Sequence, residues 1–250
     1  MMLHSFCALT DAGRLRPNNE DAVCVDEASR LIVLADGMGG HQAGEVASRM
    51  AVSLIAAELG PWLSGPGRQA TAAEAMGALR DCVDRVNQAI LQAAASRAEY
   101  AGMGTTVVFG AFHGSQLLLG HVGDSRAYCW RQGRLERLTT DHTLLQRQLD
   151  AGLLTPAQAA RSAGRFLLTR ALGVEARVVL ALRALAVEPG DLYLLCSDGL
   201  TDMLDDERLA GLLAQGGGLQ AQAQRLVDGA NAEGGRDNVS VVLAQLSAPA

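Results

Sequence analysis

The sequence predicts an α+β protein in which antiparallel sheet is covered by helices, and two observations favour that class. Helical segments fall in pairs between groups of strands, whereas a doubly wound parallel fold alternates single strands and helices. Consecutive strands are joined by links of a few residues, which are too short for a parallel crossover. Hydrophobic residues make up 49% of the 250-residue chain, enough for a sizeable core. We find no internal repeat and no linker, so we interpret 1–250 as a single domain.

The N-terminal half contributes three strands and two helices. Short apolar runs predict strands at 3–10, 22–26 and 30–36. An apolar residue at every fourth position predicts a helix through Val46, Met50 and Leu54. We expect Pro61 and the glycines after it to stop this helix. Thr71 and Glu74 form a capping box that opens a second helix.

The C-terminal half is richer in strands. We predict strands at 105–112, 116–122, 126–130, 178–187, 191–196 and 239–246, with helices at 205–215 and 219–233. Because His113-Gly114 and Gly123-Asp124 join consecutive strands, we expect hairpins at both links. The polar segment 141–170 has helical character, and we interpret it as a surface insertion, here called the flap.

Composition and charge argue against several classes of function. The net charge of −6 and the pI near 5.4 make the chain a poor candidate for binding nucleic-acid phosphates. Its five cysteines are widely spaced without a CxxC pair, as in a reduced cytosolic protein. We find no signal peptide and no apolar run of about 18 residues. We therefore predict a cytoplasmic protein without a nucleic-acid or membrane partner.

Acidic residues stand at the ends of predicted strands, beside glycine or a small turn residue. They are Asp36, Asp124, Asp198 and Asp237, with Glu20-Asp21 upstream. Converging carboxylates near a core repel one another, and divalent cations relieve that repulsion. Hard oxygen donors suit Mg²⁺ or Mn²⁺, and a glycine after the acid lets a backbone carbonyl approach as a further ligand. Any one Asp-Gly pair is equally well interpreted as a plain turn, but the set of four favours a metal site.

Eight short motifs occur in an order that resembles a known family. They are Arg16-Pro-Asn-Asn-Glu-Asp21, Asp36-Gly-Met-Gly-Gly-His41, Gly104-Thr-Thr106, Val122-Gly-Asp-Ser-Arg-Ala-Tyr128, Thr140-Asp-His142, Leu168-Thr-Arg-Ala-Leu-Gly173, Cys196-Ser-Asp-Gly-Leu200 and Asp237-Asn238. Each motif alone is weakly specific. Together they closely resemble the type 2C metal-dependent Ser/Thr protein phosphatases in their compact bacterial form, from about residue 5 to 246.

The resemblance implies a fold and a set of metal ligands. The fold is a four-layer α-β-β-α sandwich, with two central antiparallel sheets flanked by helix pairs and with the flap as a helical insertion. Two manganese or magnesium ions would lie between the sheets. The implied ligands are Asp36 bridging both ions, the Gly37 carbonyl on one of them, and Asp198 and Asp237 on the other. Glu20 matches a further acid near the ions, and Asp124 with Asp198 matches the site of a third, weaker ion.

The resemblance also implies a reaction. Phosphoserine and phosphothreonine on proteins would be hydrolysed by direct attack of a water or hydroxide that bridges the two ions. Arg16 holds the family's phosphate-binding position, where a guanidinium grips two oxygens, with a solvated loop arginine as the plainer alternative. Asp21 would orient the attacking water. His41 is a candidate general acid, as is metal-bound water, and a solvent-facing histidine at a helix start is the plainer interpretation of His41.

Three other functions compete with this one. A phosphatase of small phosphorylated metabolites would use the same metal chemistry, and activity ratios on phosphopeptides and sugar phosphates would separate the two. A catalytically weak regulatory binding module predicts missing metal acids, whereas the main acids are all present. A nucleotide-binding domain is suggested by the strand, glycines and helix at 31–55. However, Gln42 stands where GxGxxG requires glycine, and no Walker lysine follows.

The partners expected from the resemblance are phosphorylated protein substrates and a cognate Ser/Thr kinase pathway, and the protein itself is expected to be a monomer. The resemblance places the flap, 141–170, near the active site, where it affects the choice of substrate.

Overall fold

The computed structural model describes residues 3–39, 43–155, 158 and 167–248. Strands in these ranges are β1 Leu3–Asp11, β2 Asp21–Asp26, β3 Leu31–Met38, β4 Gly104–Thr105, β5 Val107–His113, β6 Gln116–Val122, β7 Arg126–Arg131, β8 Arg134–Arg137, β9 Ala181–Ala186, β10 Leu192–Cys196 and β11 Val239–Ser247. The α-helices are α1 Ala43–Ser64, α2 Ala72–Ser96, α3 Leu144–Asp150, α4 Asp198–Thr201, α5 Asp206–Ala214 and α6 Leu219–Ala232. None of these helices is both long enough and apolar enough to span a bilayer.

The strands form two antiparallel sheets. One has five strands in the order β1-β11-β10-β7-β8, and the other contains the order β2-β3-β5-β6-β9, with β4 paired to β3. Side chains on β3 alternate between the two faces of its sheet. Leu31 and Val33 pack against α1 and α2, whereas Ile32 and Leu34 pack against the five-stranded sheet.

Three clusters of buried side chains fill the spaces between four layers. The first lies between the α1/α2 pair and the six-stranded sheet, and the second lies between the two sheets. The third lies between the five-stranded sheet and the α5/α6 pair. The predicted four-layer α-β-β-α sandwich is therefore confirmed.

One predicted hairpin is wrong, and the difference helps to form the site. His113-Gly114 does join an antiparallel pair, β5 and β6. Gly123-Asp124 instead leads from β6 in one sheet to β7 in the other. A hairpin and a crossing between stacked sheets both need a tight turn, so the sequence pattern cannot separate them; Gly123 makes this turn with φ of 104°. The crossing leaves Asp124 at the seam between the sheets.

Helix α1 is longer than predicted. It runs on to Ser64 and includes Pro61 in its last turn. Proline removes one backbone N–H, which disturbs a helix least where few further turns depend on it. The Pro61 carbonyl still accepts a hydrogen bond from Gly65 N at 3.0 Å, so the last turn stays closed. The capping box of Thr71 and Glu74 is confirmed at the start of α2.

Two of the sequence motifs meet in an ion pair beside the seam. Arg126 on β7 donates from Nη2 to Oδ2 of Asp141 at 2.8 Å, and its Nε contacts the same carboxylate. Arg137 on β8 also reaches this carboxylate. The side chains of Arg126 and Asp141 are 23% and 10% exposed, so the pair is largely shielded from water. The network fixes the start of the flap to the five-stranded sheet.

We expect Asp141→Asn to lower the free energy of unfolding by about 3 kcal/mol, because it leaves two guanidinium groups without their counter-charge. Urea unfolding at neutral pH measures the change. Glu99→Gln is the matched control, since Glu99 pairs with Arg97 where both side chains are mostly exposed. Its expected cost is below about 0.5 kcal/mol. Equal losses of unfolding free energy in the two variants would contradict the claim that shielding from water makes the Asp141 ion pair more important than an exposed one.

Candidate active site

The predicted acids converge on one cavity at the seam between the sheets. The cavity has a volume of about 910 Å³, and we call it the seam cavity. Predicted site residues in its lining are Arg16, Glu20, Asp36, Gly37, Asp124, Asp198 and Asp237. Asp21 is buried beside Asp36 and is not part of the lining. His41 lies outside the described residues.

Strand register explains why these acids meet. Asp21 at the start of β2 pairs directly with Asp36 near the end of β3. In the other sheet, Asp198 follows β10 and Asp237 precedes β11, and these two strands are neighbours. One end of both sheets therefore gathers acids that are far apart in sequence.

Burial and crowding raise the pKa values of these carboxyl groups. The pKa values of Asp36 and Asp198 are raised well above the ordinary value, mainly by burial and then by the neighbouring carboxylates. Burial also raises the pKa of Asp21 to about 6 and that of Asp124 to about 6. So much negative charge in a shielded place favours the binding of cations.

Two arginines bring positive charge to the seam cavity. Arg16 donates from Nη2 to Oδ2 of Asp237 at 2.5 Å, and this hydrogen bond raises the pKa of the Arg16 guanidinium. The Arg16 side chain is 55% exposed, so exchanging Asp237 for another anion costs little. Arg236 also lines the cavity, and the sequence analysis missed it. The one sequence feature that could have indicated Arg236 was its position next to Asp237.

Asn238 organises the segment that carries Arg16 and Glu20, and the sequence analysis named it within a motif without assigning it a role. Its Nδ2 donates to the carbonyls of Ala12 at 3.0 Å and Asn18 at 2.8 Å. Its Oδ1 accepts a hydrogen bond from the backbone N of Glu20 at 2.7 Å. The side chain is buried and uses both donor and acceptor atoms. Its position directly after a predicted ligand was the available signal.

The Gly104-Thr-Thr106 motif holds the backbone of Asp36. Oγ1 of Thr106 accepts a hydrogen bond from Asp36 N at 3.1 Å and lies 2.7 Å from Oγ of Ser125. Oγ1 of Thr105 donates to the Asp36 carbonyl at 2.8 Å. Because these hydroxyls are buried, they fix the end of β3 and with it the direction of the Asp36 side chain.

Glycine is required where β3 passes the start of α1. A Cβ on Gly37 would lie 2.1 Å from the carbonyl oxygen of Gly44 and 2.7 Å from that of Glu20. A Cβ on Gly44 would lie 2.2 Å from Oε2 of Glu20. Any side chain at either position would therefore push Glu20 away from the end of β3.

The donor set of the seam cavity fits hard divalent cations. It consists of carboxylates and backbone carbonyls, which are the ligands that Mg²⁺ and Mn²⁺ prefer. As placed, no three His, Cys, Asp or Glu side chains within the described ranges are gathered closely enough to hold an ion. The ion pair between Arg16 and Asp237 is one contact that a cation at Asp237 would replace.

A second acidic group adjoins the seam cavity on the side of the flap. Asp124, Asp198 and Asp202 line a cavity of about 300 Å³. The charge of Asp202 contributes to the raised pKa values of both Asp124 and Asp198. Asp202 was missed by the sequence analysis. The spacing of four residues from Asp198 was a signal for it, because one helical turn places both on the same side.

The base of the flap forms one wall of the seam cavity. Thr143 and Leu168 form an antiparallel bridge, and Leu144 N donates to the Leu167 carbonyl at 2.8 Å. Leu167 and Leu168 line the cavity. Helix α3 is the described helix of the flap, and residues 156, 157 and 159–166 of the flap lie outside the described residues.

His142 links the flap base to the turn before Asp124. Its Nδ1 accepts a hydrogen bond from Gly123 N at 3.1 Å, and its ring stacks on His121 with the centroids 4.6 Å apart. Burial, followed by the neighbouring charges of His121 and Arg170, lowers the pKa of His142 to about 4, while the charge of Asp141 opposes them.

We expect His142 to weaken the fold as the pH falls from about 6.5 to about 4. In that window the unfolded chain binds the proton and the native chain does not, so stability present above pH 6.5 is lost on acidification. His142→Asn should reduce the difference in unfolding free energy between pH 7.5 and pH 5 by about 1 kcal/mol. His113→Asn is the control, and an unchanged difference in His142→Asn would contradict the prediction.

Thiol chemistry is not supported, although Cys24 and Arg30 have the Cys-x5-Arg spacing of thiol phosphatases. Cys24 lies within β2, where it pairs with Val33. Burial raises the pKa of its thiol, which is the opposite of what an activated nucleophile needs. The two residues flank a turn between paired strands and form no phosphate-binding loop.

Comparisons with known proteins agree with the geometry. Residues 16–240 match the family model described as Protein phosphatase 2C. The serine/threonine phosphatase stp of Listeria welshimeri is 37% identical over 239 residues, which cover 94% of this chain and 93% of the relative. The serine/threonine protein phosphatase PstP of Mycobacterium tuberculosis is 40% identical over 242 residues, which cover 96% of this chain and 45% of the relative.

A solved structure extends the likeness to three dimensions. The catalytic domain of PstP in complex with two manganese ions superposes with a TM-score of 0.84 at 37% identity. The superposition covers 99% of this chain and 100% of that one.

Proposed function

The chain belongs to the protein phosphatase 2C family and is a serine/threonine protein phosphatase, and from this premise we propose how its own residues divide the work. One observation carries the proposal. Acids from the ends of five strands, together with Arg16, line a single cavity between two sheets. Such a cavity can hold cations and a phosphate at the same time.

Two ions, Mn²⁺ or Mg²⁺, are proposed for the seam cavity. Asp36 would bridge them, the Gly37 carbonyl would bind one, and Asp198 and Asp237 would hold the other. Glu20 would serve as a further ligand, held in place by Asn238 and by its contact with Gly44. When bound, such ions activate water and neutralise charge on the phosphate. A third, weaker ion is proposed at Asp124 and Asp198.

The protein side chains bind and orient the reactants. Arg16 would exchange Asp237 for two oxygens of the phosphate, which places phosphorus in line with the attacking water. Asp21 would orient that water, and the hydrogen bond from Ser197 Oγ to Asp21 Oδ2 at 2.8 Å fixes its carboxylate. His41 is proposed to protonate the leaving oxygen of the substrate. Hydrolysis would proceed without a phosphoenzyme.

The biological setting is proposed from the same premise. The enzyme would act in the cytoplasm on phosphorylated proteins and reverse a Ser/Thr protein kinase. We propose one catalytic domain over 1–250, with the flap at 141–170, and a monomer in solution. A stable dimer in sedimentation velocity at micromolar concentration would contradict the monomer.

A metal-dependent assay tests the proposed function. The protein would be given a phosphothreonine peptide, a sugar phosphate and a nucleotide, each with manganese and again with EDTA. We expect phosphate release from the peptide to require the metal and to exceed that from the small substrates. Full activity in EDTA would exclude metal-dependent hydrolysis, and a preference for the sugar phosphate would favour a metabolite phosphatase.

A further inference from the structure

Several exposed apolar side chains lie beside the seam cavity. Large hydrophobic side chains that are exposed in the described ranges are Leu15, Leu54, Leu144, Leu153, Leu167, Val174 and Val179. Leu15 directly precedes Arg16, and Leu167 lines the cavity. Val174 and Val179 line a smaller pocket next to it. Exposed apolar groups that gather in one place mark an interaction surface, whereas scattered ones need no explanation.

The smaller pocket, which we call the side pocket, adjoins the catalytic centre. It has a volume of about 220 Å³. Its apolar lining comprises Met38, Leu168, Ala171, Val174, Val178 and Val179, and the polar residues Thr169, Arg170, Glu175 and Arg177 complete the lining. Met38 and Leu168 also line the seam cavity, so one molecule can occupy both spaces. Met38 lies two residues after the proposed bridging ligand Asp36.

Helix α2 holds the valine-bearing wall of the side pocket in place. Gly173 N donates to Oδ1 of Asn87 at 2.8 Å, and Nδ2 of Asn87 donates to the Glu175 carbonyl at 2.9 Å. Asn87 is 1% exposed, so both hydrogen bonds are shielded from water. Val174 is thereby fixed between two anchored residues while its own side chain stays 54% exposed. A preorganised apolar group loses little entropy when a partner covers it.

Gly104 lets the two walls of the side pocket come together. It pairs with Met38 in the β3–β4 register. A Cβ at position 104 would lie 2.8 Å from Cε of Met38 and 3.0 Å from Cγ2 of Val174. Met38 and Val174 therefore approach each other over a residue without a side chain, which brings apolar surface up to the edge of the seam cavity.

We propose that the side pocket binds an apolar side chain of the substrate protein, within a few residues of the phosphorylated residue and on one side of it. The inference rests on the proposed function. The seam cavity anchors the phosphate, and a polypeptide that leaves it past Met38 and Leu168 enters the side pocket. An apolar residue there would cover Val174 and Val179, whereas a small phosphorylated metabolite has no group that could.

A positional scan of phosphothreonine peptides tests the proposal. Leucine would be placed in turn at each of the three positions on either side of the phosphothreonine, with serine at the other positions. The ratio kcat/KM would be measured for each peptide with manganese. We expect leucine to raise kcat/KM about tenfold at positions on one side. Turnover with a flat profile would overturn this inference alone. Absence of turnover on every phosphopeptide would overturn the proposed function and the inference with it.

The double variant Val174→Thr/Val179→Thr locates the preference. Threonine keeps the shape of valine but has a hydroxyl in place of one methyl group, so the leucine-to-serine ratio of kcat/KM should fall towards one. Turnover of p-nitrophenyl phosphate normalises each preparation for active protein. Leu54→Asn, on the exposed side of α1, is the matched control and should keep the ratio of the unmodified protein. An unchanged leucine-to-serine ratio in the double variant would overturn the proposal. It would also be overturned if the unmodified protein formed a dimer and the double variant did not, because the valines would then bind a second copy of the chain.

Discussion

Asp198→Asn is expected to lower manganese-dependent turnover of a phosphothreonine peptide on the order of 10³-fold. Asp198 lies at the centre of the acidic group, because it lines both the seam cavity and the adjoining cavity with Asp124 and Asp202. An amide has nearly the same shape and no charge, so the variant removes the attraction for cations while packing is preserved. Calorimetric titration with manganese should show weaker binding in parallel.

The same substitution should stabilise the protein in EDTA. Burial and neighbouring carboxylates raise the pKa of Asp198, so its charged form at neutral pH opposes folding of the protein alone. We therefore expect the thermal midpoint of Asp198→Asn to rise in EDTA and to gain less from manganese than that of the unmodified protein. Asp81→Asn, at an exposed position of α2, is the control. A lower midpoint in EDTA would mean that Asp198 is a structural residue and contradict its role as a ligand.

The acids of this site were predictable because each carries a local signal. Asp36 follows a buried apolar run and precedes glycine, so the end of a strand was visible in the sequence. The meeting of these acids was less visible. The direct pairing of Asp21 with Asp36 depends on strand register, and Asp124 reaches the seam only because β6 and β7 belong to different sheets. In the sequence, a two-residue link has the same appearance whether it joins two strands of one sheet or crosses between two sheets.

The residues that were missed act through tertiary contacts. Asn238 bonds to Ala12, Asn18 and Glu20, more than 200 positions away in sequence, so its place directly after Asp237 does not show which segments it joins. The side pocket is likewise assembled from the end of β3 and the segment after the flap. Exposed valines are unremarkable in a sequence, and their meaning depends on the hydrogen bonds from α2 that fix them.

Arg16→Ala is expected to separate phosphate binding from metal binding. The variant loses the guanidinium that grips the phosphate, and kcat/KM for the phosphothreonine peptide should fall about 10²- to 10³-fold. Arg16 also competes with cations for Asp237, to which it donates in this structure. Its removal should therefore make manganese binding tighter by a few-fold, because a positive charge leaves the neighbourhood of the ion.

Two further substitutions make this prediction specific. Arg16→Lys keeps the charge and loses the fork of two donors. Compared with Arg16→Ala, it should therefore compete with manganese for Asp237 to some extent but regain little of the activity. Arg68→Ala removes an exposed arginine from the 3₁₀ turn Pro66–Gln69 and is the matched control for net charge. Weaker manganese binding in Arg16→Ala would show that Arg16 supports the ligand Asp237. Unchanged kcat/KM would show that the phosphate is held by another group, for which Arg236 on the same cavity is the first to test.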